Sequence, residues 1–402
     1  MNIIKKLKIC RLDVDTDEFN INLKNKIKMK ILYISNSIIP SRTANSIHVM
    51  KMCQAFADNG HEVILLAPDK KKKYEKKIID IYENYAVKQN FIIKKLWCPN
   101  IKGGAFFYSL SIFFYLIFNK NFNLVYGRFI YGCYIASLLK NKTIYESHAP
   151  IYEETSYGLR FFNRLIKNKY FEKLVVISQA LKDIYLENGL LNNEKIQVAH
   201  DGADEVFDFN NKINLLGDTN KFKVGYLGHL YKGKGIEIVA SLADKVKDDV
   251  EFHIIGGNEQ DINIWKKNIN NKNVFFYGYV PHKEVSSYIN ALHVCLLPNQ
   301  KVIFASGAKR SAMNLSKFTS PLKVFEYMSH RKAIIASNLP VLKEVLNEKN
   351  SILVDCDNIT EWINAIEKLK NFKNRELIAN QALSDFNNYT WKNRVVRLMN
   401  DI

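Results

Sequence analysis

Phe222-Lys223-Val224-Gly225-Tyr226-Leu227-Gly228-His229-Leu230-Tyr231-Lys232-Gly233-Lys234-Gly235 starts as a short apolar run and breaks into glycine and lysine. Apolar runs of this kind, ended by small residues, are how parallel strands buried on both faces read. The glycines let the backbone approach a ligand, and Lys232 or Lys234 is placed to neutralise an anion held there. A helical stretch follows over 235–244. Downstream the alternation continues: strand 251–256, helix 262–269, strand 274–277, helix 284–291, strand 293–297, and later a buried strand at 333–337. Upstream it has already run once. Lys30-Ile31-Leu32-Tyr33-Ile34-Ser35 is a strand, 46–59 is a helix stopped by Gly60, and 61–68 is the next strand. Further strands fall at 124–126, 143–146 and 174–177. Strand and helix alternating twice over predict an α/β protein with two Rossmann-like, doubly wound parallel sheets facing across a cleft. Ligands are expected at the carboxyl ends of the strands.

The chain has 402 residues, which suits two domains. Residues 1–28 read as an N-terminal extension. A first domain is expected over 29–209 and a second over 210–380, with the polar stretch 210–220 as the linker. An amphipathic helix with Tyr389, Trp391, Arg394 and Val395 falls in the last segment, 381–402. The formal net charge of +18 points to an anionic partner or to a plain lysine bias. The charge run 70–77 reads as a solvated loop or helix face. The six cysteines are scattered with no C-x-x-C pair, which argues against a zinc site or a disulfide framework and fits a reducing cytoplasm. Residues 1–28 lack the apolar core of a signal peptide. The apolar run 105–118 is too short to span a membrane and reads first as a core helix. With Lys102 and Lys120 beside it, the alternative is a helix on an anionic membrane surface.

After the first strand, 36–46 contain no glycine, which argues against the dinucleotide fingerprint and a dehydrogenase. Asn45 and Ser46 in this loop are candidates to face a cleft. His48, early in the following helix, reads as a surface histidine. Tyr126-Gly127-Arg128 and Tyr145-Glu146-Ser147-His148 each end a strand, so Arg128, Glu146 and His148 are further cleft candidates, with a buried Glu146–His148 pair as the alternative. Thr319-Ser320-Pro321-Leu322-Lys323-Val324-Phe325-Glu326 sets a Ser-Pro turn before an apolar-periodic helix carrying one carboxylate. Helix N-termini attract anions, and Glu326 a turn further in can accept hydrogen bonds from sugar hydroxyls. Gly278-Tyr279-Val280, after a strand, is a candidate to lie near a base, with a simple strand-to-helix turn as the alternative.

Gly228-His229-Leu230, Lys234-Gly235-Ile236, Ser320-Pro321-Leu322-Lys323 and Glu326-Tyr327-Met328 together resemble the retaining glycosyltransferases of the GT-B fold, family 4. The run 196–204 is similar to that family's interdomain segment, and Val175-Val176-Ile177-Ser178 to the strand before it. The resemblance implies that Lys234 contacts a donor diphosphate, with His229 where the family commonly has Arg. It implies donor contacts from Gly228, Ser320, Pro321 and Leu322, with Glu326 holding the donor ribose. His148 would line the catalytic cleft. The first glutamate of the family's E-x7-E motif falls on Phe318, a departure that removes an expected bond to the donor sugar. The expected reaction moves a hexosyl or N-acetylhexosaminyl group from a UDP- or GDP-sugar to a glycan or lipid-linked acceptor of a surface glycan. The enzyme would be cytoplasmic, peripheral at an anionic inner membrane face, and without a metal, a separate cofactor or a nucleic-acid partner. An epimerase or phosphorylase-like enzyme of the same fold and a non-catalytic basic binding protein are the alternatives.

Overall fold

The computed structural model describes residues 28–70, 80–151, 156–269, 271–304 and 314–402. The expected extension at 1–28 and the charge run at 70–77 lie, apart from Lys28 and Lys70, outside the described residues. Seven strands form the first sheet: β1 (Lys30–Ile34), β2 (Glu62–Asp69), β3 (Ile92–Trp97), β4 (Leu124–Gly127), β5 (Thr143–Ser147), β6 (Phe171–Val176) and β7 (Ile196–Val198). They lie in the order β3-β2-β1-β4-β5-β6-β7, every neighbour parallel. The second sheet holds β8 (Phe222–Leu227), β9 (Val250–Ile255), β10 (Val274–Gly278), β11 (Val294–Leu297), β12 (Ala333–Ser337) and β13 (Ile352–Val354), ordered β10-β9-β8-β11-β12-β13 and again parallel. β1 and β8 are buried almost throughout because helices cover both faces. β3 escapes a reading by periodicity because Lys94 and Lys95 interrupt it, which an edge strand tolerates.

The first sheet is covered by α1 (Ala44–Asp58), α2 (Gly104–Phe118), α3 (Ile130–Leu138), α4 (Ser156–Leu165) and α5 (Gln179–Glu187). The second carries α6 (Ile236–Ala243), α7 (Glu259–Asn268), α8 (His282–Ala291), α9 (Leu322–Ser329), α10 (Ile359–Lys370) and α11 (Phe372–Phe386). α12 (Trp391–Met399) then leaves the second domain. Its Trp391, Val395 and Leu398 pack into the first domain's core with Val49, Met52 and Phe56 of α1.

In each sheet the strand order reverses beside the first strand, between β1 and β4 and between β8 and β11. Such switch points open a crevice at the strands' carboxyl ends. The loop 36–43 and Arg128 border one of them, and the 228–235 loop borders the other. The domains are clasped beside this region. Ser178 Oγ donates to Phe318 O at 2.7 Å, and the amides of Gln179 and Ala180 donate to the Glu344 carboxylate at 2.6 and 2.9 Å. That carboxylate sits at the start of α5, where the helix dipole favours it.

The core-helix reading of 105–118 holds for one face: α2 buries Gly104, Tyr108, Ile112 and Leu116 against the first sheet and turns Phe106, Leu110, Phe114 and Phe118 outward. Being apolar all round, the run gave no sign of which stripe would be covered.

Candidate active site

The 228–235 loop holds the backbone in conformations that suit glycine. Gly228 has φ +135° and Gly235 φ +95°, and a Cβ on Gly235 would collide with the carbonyl of Pro298 after β11. Two lysines meet at this loop. Lys234 comes from the loop itself. Lys323 reaches in from α9, donates to Leu227 O at 3.1 Å and lies 4.4 Å from the centre of the Tyr226 ring. Burial pulls the Lys234 ammonium down to about 8. Burial, and then the charge of Lys234, pull Lys323 down to about 7 against the weaker opposing pull of Glu326. His229 is shifted down too, by partial burial first and then by the two lysines. Neither lysine forms an ion pair among the described residues. Positive charges crowded together without a partner favour an anion between them. The resemblance gave Lys234 this role; Lys323 stood in the quoted motif without one.

The turn before α9 serves the domain interface as well as the crevice. Ser320 Oγ accepts from the Asp201 amide at 3.2 Å, Pro321 precedes the first helical residue, and Leu322 packs against the first domain's core. One turn on, Glu326 faces a cavity of about 360 Å³ bordered by Lys51, Asp204, His282, Leu322 and Trp391. Burial, then Asp204, push the Glu326 carboxyl up to about 7 against the opposing Lys51 and Lys323. His282 Nδ1 lies 3.9 Å from Glu326 Oε1, and Lys51 Nζ 2.6 Å from Asp204 Oδ2. Tyr279 stacks under the Arg42 guanidinium of the opposite domain at 3.9 Å. Val280 instead packs into the second domain's core.

On the first domain, Glu146 is fully buried. Its Oε2 accepts from Tyr126 at 2.6 Å, while His148 Nε2 and Arg394 Nη2 each lie 2.8 Å, and His48 Nε2 3.0 Å, from Oε1. Burial alone would raise this carboxyl. Arg394 first, then His48 and His148, hold it well below the usual range. The ionised Glu146 only accepts, so His148 donates through Nε2 and keeps Nδ1 as an acceptor. Burial, then Arg128, hold His148 down to about 4. Arg128 Nη1 is buried with no hydrogen-bond partner among the described residues.

His48 is therefore not a surface histidine. It is buried, with Nδ1 2.9 Å from Asp201 Oδ1 and its ring against His148 and Trp391. Ser46 does not face the crevice: its hydroxyl donates to Ser41 O and Thr43 O at the start of α1. Asn45 is half-buried at the same helix start, its Oδ1 without a partner among the described residues. His48, Glu146 and His148 are close enough together to hold a metal ion. A divalent cation there would stand beside the Arg394 guanidinium, so the residues fit it poorly.

Phe318 explains its own departure from the family pattern. Its ring is buried among first-domain residues including Ile177, Leu181 and Tyr185. Where the family places a carboxylate, this chain has an apolar peg joining the domains. Phe318→Glu should thus destabilise the protein far more than Phe318→Leu, because it buries a charge with no partner. Thermal melting of the two variants checks this, and equal melting temperatures would contradict the packing described.

Two facing parallel sheets, with a lysine-lined glycine loop at the switch point of the second, define a glycosyltransferase of the GT-B fold. Residues 46–206 match the family described as Glycosyltransferase Family 4, and residues 221–371 the one described as Glycosyl transferases group 1. The chain belongs to this family of glycosyltransferases. It is 24% identical to an uncharacterized glycosyltransferase of Methanocaldococcus jannaschii, over 92% of this chain and 96% of that protein. Solved structures share the fold. HepE of Anabaena, in complex with UDP and glucose, superposes with a TM-score of 0.67 at 15% identity, over 93% of this chain and 100% of that chain. Sucrose-phosphate synthase of Thermosynechococcus elongatus superposes with a TM-score of 0.68 at 14% identity, over 92% and 97%.

Proposed function

We propose that the protein transfers a sugar from a nucleoside-diphosphate sugar, UDP- or GDP-linked, to a hydroxyl of a glycan or lipid-linked acceptor in the cytoplasm, with retention and without a metal ion. The observation that carries this reading is the pair of half-buried lysines, Lys234 and Lys323, which lie beside the 228–235 loop with no ion-pair partner among the described residues. The bond from the anomeric carbon to the β-phosphate oxygen breaks, and charge develops on that oxygen. The lysines stabilise it where it forms. The acceptor oxygen bonds to the anomeric carbon on the face the diphosphate leaves, and the departing phosphate takes the acceptor's proton. Glu146 is ionised but locked by Arg394 and Tyr126, so it is not free to act as a nucleophile. His148 Nδ1 accepts from a sugar hydroxyl, Arg128 supports the charge, and Glu326 holds the ribose hydroxyls with Tyr279 nearby. Lys323 supplies the second positive charge that His229, depressed and uncharged at neutral pH, does not.

The pH dependence follows from the same groups. Glu326, raised to about 7, must lose its proton to accept from the ribose, so kcat/KM for the donor rises through pH 7. Lys323 at about 7 and Lys234 at about 8 must keep theirs, so it falls as pH rises through 7 to 8 and the profile is a narrow bell centred near pH 7. A bound diphosphate raises both lysine pKa values, so donor binding at pH 8 takes up protons. Calorimetry with UDP and GDP in buffers of different ionisation enthalpy measures that uptake, and a screen of donor hydrolysis with NMR of the product anomer tests donor and retention. Proton release on binding, or no turnover of any nucleotide sugar, would overturn the reading.

A further inference from the structure

The outward face of α2 and the edge strand β3 form an apolar surface that no element among the described residues covers. Phe106, Phe114 and Phe118 are 68%, 48% and 79% exposed and fall at multiples of four along the helix, with Leu110 between them. They therefore lie in one row. Trp97, 61% exposed, packs edge-on against Phe107, and Ile101 extends the surface at the start of the helix. Scattered exposed apolar residues mean little, but a continuous row rimmed by charge marks a contact surface. The rim is mainly basic, with the exposed Asp69, paired in register with Trp97, as a carboxylate at its edge. From Asn84 to Tyr145 the chain has no aspartate or glutamate, and Lys94, Lys102, Lys120 and Lys140 are all exposed. None of these four forms an ion pair among the described residues.

We propose that this face seats on an anionic lipid bilayer, with α2 lying in the headgroup plane, the phenylalanine row in the acyl boundary and the lysines on lipid phosphates. The charge pattern favours this occupant over a second copy of the chain, which would set Lys94, Lys102, Lys120 and Lys140 largely against one another, with Asp69 alone too few to offset them. Orientation supports it as well. In a parallel sheet the helix after β3 begins at the carboxyl ends of the strands, so Ile101, Lys102 and Phe106 lie at the crevice end of the domain. The bilayer would then meet the protein on the side from which an acceptor embedded in it can reach the crevice. The inference does not depend on the donor assignment.

The test is flotation of the full chain with vesicles of equimolar phosphatidylglycerol and phosphatidylcholine, against phosphatidylcholine alone, at low and high salt. Wild type should float with the anionic vesicles at low salt only. Phe106→Ser with Phe114→Ser, and separately Lys94→Glu with Lys102→Glu and Lys120→Glu, should each lower the partition coefficient at least about tenfold. Melting and hydrolysis of soluble donor should stay unchanged in both. Absence of wild-type binding at low salt would overturn the proposal, as would full binding by the serine variant. Light scattering that finds a dimer abolished by the serine substitutions, with no flotation, would assign the face to a second copy instead.

Discussion

Arg394→Ala costs about 3–5 kcal/mol in the first domain's unfolding transition, the range for breaking a buried ion pair from one side. The side chain is fully buried, and it donates from Nη2 to Glu146 Oε1 at 2.8 Å and Ala199 O at 3.0 Å and from Nε to His200 O at 2.9 Å. Alanine leaves Glu146 in the core without its main counter-charge. Arg394→Met with Glu146→Gln should recover much of the loss, because it removes both charges and keeps most of the volume. A double-mutant cycle by denaturant unfolding measures the coupling, and additive effects would contradict the network. The acid limb carries a second signature. Glu146 is depressed below its ordinary 4.5, so its contribution is complete above that pH and is lost as pH falls toward the folded value. Without Arg394 that dependence should flatten.

Lys234→Ala and Lys323→Ala should each lower kcat/KM for the donor on the order of 10²–10³-fold, the scale for removing one group aimed at developing charge. Most of the loss should appear in kcat. The melting temperature of the free protein should hold or rise, since each substitution removes a partly buried cation that repels its neighbour and has no ion-pair partner. Active sites store such conflict, and relieving it stabilises the fold at the expense of activity. A structural lysine would behave in the opposite way, with stability falling first. Steady-state kinetics beside thermal melting separates the two, and a loss under tenfold in both variants would remove the diphosphate assignment.

The alternation of strands and helices was legible because buried parallel strands read as apolar runs, and both sheets follow it. As elements, the Lys-Gly loop and the Ser-Pro helix were legible too, because a glycine-rich break after an apolar strand and a Ser-Pro turn before an apolar-periodic run are local patterns. What stayed hidden was set by distant partners. Arg394 meets Glu146 across 248 positions, and Asp201 meets His48 across 153. No local pattern tells a histidine that will be enclosed by carboxylates from one left in water. Lys323 looked like an ordinary helix residue because its burial comes from Tyr226 and Leu227, on another element. Phe318 was legible as a departure from a pattern, but not as a peg, because its surroundings belong to the other domain.

The return of α12 to the first domain also matters during synthesis. Trp391, Val395 and Leu398 complete a core whose other residues lie between Ile31 and Ala199. At a translation rate of about 5–20 residues per second, the ribosome needs about 10–40 s to pass from Ala199 to Trp391. Through that interval the emerged first domain exposes the seat of a helix not yet made, with Glu146 facing an empty place instead of a guanidinium. Its final closure must therefore wait until the second domain has been synthesised, and a nascent chain arrested before residue 391 should present that seat to chaperones.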